Sequence, residues 1–175
     1  MAKTEISTLG EFGLIKHLTK DFPTYQPSTQ KAIGDDAAVL NHKDKRTLVT
    51  TDLLLEGIHF NLEYAPLKHL GYKAAVVNFS DIYAMNATPT QITVSLGISK
   101  RFSVEDLEEL YAGIRLACER YNVDLVGGDT SASMTGLTIS ITCLGTAAAK
   151  DIVYRNGAKP NDLICVTGNL GTAYM

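Results

Sequence analysis

Five aspartates stand where apolar runs break into small, polar turns: Gly34-Asp35-Asp36, Thr50-Thr51-Asp52, Asn78-Phe79-Ser80-Asp81 and Gly127-Gly128-Asp129-Thr130. A carboxylate beside a buried strand is costly unless something cationic compensates it. These stretches contain no lysine or arginine, so a bound divalent metal is the natural compensator. Hard cations take oxygen ligands, and Mg2+ commonly joins a few carboxylates to substrate phosphates. The chemistry suggested is a magnesium–phosphate site.

Each motif also has a plainer reading. Gly34-Asp35-Asp36 alone is good β-turn sequence. Thr50-Thr51-Asp52 ends an apolar run and reads equally as a cap. Asn78 and Asp81 are three apart on an expected helix and share a face; a hydrogen bond to nearby backbone would account for either one. Gly127-Gly128-Asp129-Thr130 reads as a tight turn, or as backbone open enough to approach a phosphate. Arg155 suits a phosphate contact by its guanidinium geometry, although a solvated loop charge is its default role. His59 and Tyr111 both lie among apolar residues, where packing is the default role.

Several function classes are disfavoured. The sequence has no G-x-x-x-x-G-K-S/T loop, no G-x-G-x-x-G and no G-x-S-x-G elbow, so neither the common nucleotide loops nor a triad hydrolase is expected. The net charge of -3 and scattered basic residues argue against nucleic-acid binding. No apolar stretch reaches membrane-spanning length and the N-terminus lacks a signal-peptide core, so no membrane association is expected. Cys118, Cys143 and Cys165 are widely spaced in apolar segments, which fits reduced thiols in a cytoplasmic protein.

The elements that must position these residues follow from periodicity. Thr8 to Phe22 reads as a helix with Ser7 as its cap. Ala37–Leu40 and Thr47–Thr51 read as short strands, with a hairpin turn at His42–Arg46 between them. Leu67–Met85 reads as a buried helix and Gln91–Ser99 as a strand. Ser103–Tyr121 is the clearest helix, with Ser103 as cap and Glu105 and Asp106 in its first turn. Strands follow at Val123–Val126 and Leu137–Leu144. This mixed order predicts an α+β fold whose largely antiparallel sheet is covered on one face by helices. The 175 residues divide into a unit over 1–150 and a second stretch over 151–175, where a turn-rich crossover leads to a strand at Asp162–Thr167 and the opening of another domain.

Taken in order, Leu9-Gly10-Glu11-Phe12-Gly13-Leu14-Ile15, Ile33-Gly34-Asp35-Asp36-Ala37, Thr50-Thr51-Asp52 with Glu56-Gly57-Ile58-His59-Phe60, Asn78-Phe79-Ser80-Asp81, Gly127-Gly128-Asp129-Thr130 and Arg155-Asn156-Gly157-Ala158-Lys159-Pro160 resemble the thiamine-monophosphate kinase family, within the superfamily of aminoimidazole ribonucleotide synthetase. The resemblance implies ATP-dependent phosphorylation of thiamine monophosphate to thiamine diphosphate with several Mg2+ ions. It implies metal-site roles for Asp35, Thr50, Thr51, Asp52, Asp81 and Asp129. Nucleotide contacts are implied for Gly128, Asp129 and Arg155, and for Tyr111, whose local motif is loose. A substrate contact is implied for His59, and no side chain is expected to act as a covalent or acid–base catalyst. The family fold joins its sheet to that of a second subunit, which implies a homodimer with a barrel spanning it. Two other readings stay open: a superfamily relative that uses ATP on another acceptor, and a dimerisation module without activity.

Overall fold

The computed structural model describes residues 5–33, 39–40, 46–154 and 158–170. Gly34, Asp35, Asp36, the turn at 42–45 and Arg155 lie outside them. Four strands build the main sheet: β3 (Arg46–Leu55), β4 (Thr88–Ile98), β5 (Asp124–Ala132) and β6 (Thr138–Ala147), in the spatial order β3-β6-β4-β5. β6 is antiparallel to both β3 and β4, while β4 and β5 are parallel. A parallel pair needs a crossover, here the helix α3 (Val104–Tyr121). A separate two-stranded ribbon pairs β1 (Thr29–Lys31) with β2 (Val39–Leu40). The α+β class and the mixed sheet agree with the sequence reading, and the sheet is open.

Alternation explains the sheet's two faces. Ile139, Ile141 and Cys143 of β6 and Ile92, Val94 and Leu96 of β4 are buried beneath helix α2 (Leu67–Ala84), which packs on β6, β3 and β4. Successive strand residues point to opposite faces, so the intervening Thr142, Ser140, Thr93 and Ser95 line the uncovered face, where Val49 and Leu53 of β3 are 65% and 53% exposed. α3 packs along α2 with its buried stripe of Leu107, Leu110, Ile114 and Cys118. The first helix, α1 (Gly10–Thr19), joins α3 through His17 Nε2 and Glu108 Oε1, 2.5 Å apart.

α3 begins as expected. The Ser103 hydroxyl accepts from the Asp106 N–H at 3.3 Å, and Asp106 Oδ2 accepts from the Ser103 N–H at 2.8 Å, a reciprocal capping box. Four readings need correction. α1 starts at Gly10, after a 3-10 turn at Ile6–Thr8, and its cap position is Leu9 without a side-chain bond, so Ser7 does not cap it. The expected strands around Val39 and Val49 belong to different sheets, because β2 pairs with β1 while β3 pairs with β6. β5 runs through Gly127-Gly128-Asp129-Thr130 to Ala132 instead of turning there. Residues 162–167 form no strand; extended backbone stays a strand only with a neighbour to take its hydrogen bonds. No helix among the described residues is long and apolar enough to cross a membrane.

The two helices touch at glycines. A Cβ on Gly71 would lie 2.0 Å from the Leu110 carbonyl oxygen, and one on Gly113 would lie 1.9 Å from that of Lys68. Such contact is possible only for glycine, and it draws the helices together at backbone distance. Gly113→Ala is expected to lower stability by about 2 kcal/mol in chemical denaturation, since overpacking costs roughly 1–3 kcal/mol and exceeds the helix propensity that alanine regains. An unchanged or raised midpoint would show that the crossing has slack.

Candidate functional site

β3 and α2 bring two of the predicted acids together. On β3 the side chains of Leu48, Thr50, Asp52 and Leu54 share a face by alternation; Leu48 and Leu54 are buried at 8% and 4% exposure, with Thr50 and Asp52 half-buried between them. That face looks at α2, where Ala74, Asn78 and Ile82 are buried and Asp81 emerges at the helix border. The Thr50 hydroxyl donates to Asp81 Oδ2 at 2.8 Å. Burial and then the neighbouring Asp81 charge push the Asp52 carboxyl above its ordinary value of 3.8, with His59 opposing the rise. Two carboxylates and a hydroxyl thus meet on one side of the strand, and the proximity of like charges is paid for in proton affinity.

All of these donors are oxygens. The thiols of Cys118 and Cys143 are buried and pushed up to about 12 by that burial, so neither competes as a soft ligand. The pair therefore suits a hard divalent cation that completes its shell with water or phosphate. Among the described residues no three His, Cys, Asp or Glu side chains form a complete metal-holding group, so any such ion takes further ligands from elsewhere.

His59 stands at the turn that leaves β3. Its Nδ1 accepts from the Leu55 N–H at 3.0 Å, and its own N–H bonds the Leu55 carbonyl at 2.9 Å. An accepting Nδ1 puts the proton of the neutral ring on Nε2, leaving an exposed donor. The Lys73 ammonium of α2 donates to the His59 carbonyl at 3.2 Å, tying the turn to the helix that carries Asp81. The turn is further held by Glu56. Its carboxylate pairs with Arg101 and accepts from the Leu137 N–H at 2.8 Å. Burial alone would raise Glu56; the Arg101 hydrogen bond, the Leu137 N–H and the Arg101 charge outweigh it and hold the group below its usual range.

Other predicted residues lie apart. The Thr51 hydroxyl is on the opposite side of β3, donating to the Ile141 carbonyl at 3.1 Å and accepting from Thr142 Oγ1 at 3.1 Å. Asp129 is on β5, with β4 and β6 between it and β3, a backbone separation of roughly 14 Å at usual strand spacing. There it is exposed, and its Oδ1 accepts from the Thr130 N–H at 2.9 Å. Gly128 packs tightly: a Cβ would sit 1.8 Å from the Val94 carbonyl oxygen, so strand contact already requires glycine there. Tyr111 packs edge-on against Phe22, ring centres 6.4 Å apart at 86°, and burial pushes its hydroxyl up to about 12.

Sequence reasoning missed Asp124. It is 1% exposed and receives three hydrogen bonds from residues 25–29. The only sequence signal is an acid inside the apolar run Val123-Asp124-Leu125-Val126. The structural use of Glu56 was also unread, though the residue lies within a recognised motif.

The model of the family "AIR synthase related protein, N-terminal domain" matches residues 34–147. The chain is 34% identical to thiamine-monophosphate kinase of Bacillus subtilis (strain 168) over 94% of its own length and 51% of the relative's. It is 37% identical to the enzyme of that name from Aquifex aeolicus (strain VF5), over 95% and 51%. Among solved structures, AaThiL complexed with AMPPCP and TMP superposes with a TM-score of 0.62 at 35% identity, covering 91% of this chain and 48% of that one. The chain spans about half the length of the curated relatives it matches. On the family model's match over most of the domain, with the aspartate-bearing β3–α2 unit inside it, the chain belongs to the AIR synthase related protein family as its N-terminal domain.

Proposed function

We propose that the protein takes part in ATP-dependent phosphorylation of thiamine monophosphate to thiamine diphosphate, with Mg2+ held at the β3–α2 carboxylates. The observation that carries this reading is the convergence of Asp52, Asp81 and the Thr50 hydroxyl, in a chain similar to AaThiL, which was solved with AMPPCP and TMP. Thr50 occupies one oxygen of Asp81, and the other serves as the ligand. Asp52 offers its carboxylate beside it. When bound, Mg2+ supplies positive charge that offsets the repulsion between the two anionic reactants. His59 offers its Nε2–H to the phosphate of the acceptor, at a turn braced by Glu56 and Lys73. The acceptor is a phosphate monoester with a second pKa of about 6, largely ionised at neutral pH. No general base is needed, and the transfer is direct, without a phosphoenzyme.

Gly128 and Asp129 on β5 are proposed nucleotide contacts, with Asp129 also at a metal. Asp35 and Arg155 join them on the strength of their motifs, and Thr51 through its place beside Asp52. The packing of Tyr111 against Phe22 favours a core role over a nucleotide contact. Residues 1–150 are the nucleotide, metal and dimerisation unit. Residues 151–175 are proposed to be the crossover into a second domain; among the described ones, Leu163 and Ile164 are 90% and 95% exposed. The open sheet face with Val49 and Leu53 is the surface through which two copies join their sheets into a barrel, since exposed apolar sheet of this kind marks an interface.

Three outcomes test this reading. Calorimetry is expected to show ATP binding only with Mg2+ and to show it weakened about tenfold or more by Asp52→Asn, the loss of one charged ligand; equal affinity with and without metal overturns the site. Without metal, the sign reverses for stability. A carboxyl raised in the folded state contributes stability below 3.8 that is lost as pH climbs through its folded value. Asp52→Asn in chelator is therefore expected to stabilise the protein near neutral pH by about 0.5 kcal/mol, a gain that disappears in acid. A less stable variant at neutral pH would mean that the two carboxylates do not repel. Leu53→Asp is expected to convert a dimer to a monomer in analytical ultracentrifugation; an unmutated protein that sediments as a monomer at micromolar concentration rules out the barrel.

A further inference from the structure

The turn that leaves β3 is well bonded within itself. The Gly57 N–H, at a φ of +80°, bonds the Phe60 carbonyl at 2.8 Å, and Phe60 is buried. The His59 N–H and ring both bond Leu55, and the Glu56 N–H bonds the Leu137 carbonyl at 3.1 Å. To these α2 adds one contact, from the Lys73 ammonium to the His59 carbonyl at 3.2 Å. Fixing a lysine side chain costs rotamer freedom, and an exposed bond to a neutral carbonyl returns little. Stability of the turn is therefore a weak account of Lys73.

Charge gives a better one. Among the described residues no carboxylate pairs with Lys73, whereas His17, Arg101 and Arg115 each lie against an acid. An ammonium has three N–H donors, and the carbonyl takes one. The side chain is exposed, so the other two donors are open to a ligand, next to the residue that also presents its Nε2–H. His59 in turn lies near enough to Asp52 for its charge to oppose the rise of that carboxyl. Lys73 stands eight residues before Asp81 on α2, about 12 Å along the helix axis. The order along this edge is thus ammonium, imidazole and paired carboxylates. A phosphate monoester dianion matches it, with cationic and neutral donors on one side and a metal-bearing acidic pair on the other.

We propose that Lys73 is a further acceptor-binding residue: its ammonium, steered by the His59 carbonyl, contacts the phosphate of thiamine monophosphate together with the His59 Nε2–H. This rests on the phosphoryl-transfer reading above. In the full-length protein with Mg2+ present, calorimetry is expected to show affinity for thiamine monophosphate falling about tenfold in Lys73→Gln, which keeps an N–H but loses the charge. Lys73→Arg keeps the charge and is expected to stay within about threefold of the unmutated protein. KM for thiamine monophosphate is expected to follow these affinities, while KM for Mg-ATP moves less than about twofold. Hydrogen exchange at the His59 amide is expected to be unchanged in both variants, because its bond to the Leu55 carbonyl does not involve the lysine. Undiminished affinity in Lys73→Gln, an equal fall in Lys73→Arg, or a matching rise in KM for Mg-ATP overturns the contact and leaves the function standing. A fall in affinity accompanied by faster exchange at the His59 amide makes the lysine a brace of the turn and overturns the contact as well. An unmutated protein that transfers no phosphate to thiamine monophosphate overturns the function and this contact with it.

Discussion

The seating of α2 on the sheet governs the geometry of this domain. The helix reaches β6 where Gly145 leaves room for Ile82: a Cβ there would stand 2.3 Å from the Ile82 side chain. One residue before Ile82 is Asp81, so the same close fit delivers a carboxylate to the Thr50 hydroxyl and to the neighbourhood of Asp52. A core contact and a charged cluster are thereby set by one docking distance. Burial of the apolar side stabilises the arrangement by about 25 cal/mol per Å2 of surface removed from water, and that gain holds two like charges near each other in the absence of a counterion.

The same logic separates the two proposed ends of the site. Asp52 and Asp81 belong to the β3–α2 edge, while Gly128 and Asp129 belong to β5 at the far edge. The substrates of a phosphoryl transfer are long and charged along their length, so a site built around them need not be compact. Residues that brace each end accordingly differ: Glu56, Arg101 and Lys73 around the turn of His59, and Asp124 with Gln91 beneath β5.

Much of this was legible locally. Ser103 and Asp106 announced the start of α3 because a capping box is a short-range pattern, and the three-residue spacing of Asn78 and Asp81 correctly put both on one helix. The Asp52–Asp81 meeting could be anticipated only from the ordered motifs, since the two lie 29 positions apart. What failed was long-range or ambiguous. Gly127-Gly128 looks like a turn because glycine tolerates turns, yet here glycine is required by the approach of β5 to Val94. Neighbouring apolar runs at Val39 and Val49 suggested a hairpin, but strand partners were chosen by distant segments. The partners of Asp124 lie more than ninety residues upstream, beyond the reach of any periodicity.

Strand order carries a further consequence, for biosynthesis. β6 comes last of the four in the chain and yet sits between β3 and β4. A ribosome delivers about 5–20 residues per second, so β3 and its acidic pair must wait several seconds without their permanent neighbour while some ninety further residues emerge. Until Ala147 is free of the exit tunnel, the nascent polypeptide presents unsatisfied strand edges on both sides of the gap. Such an intermediate is exposed to wrong pairing, and the burden of avoiding it falls on α2 and α3, which can form from local sequence and shelter the apolar surface first.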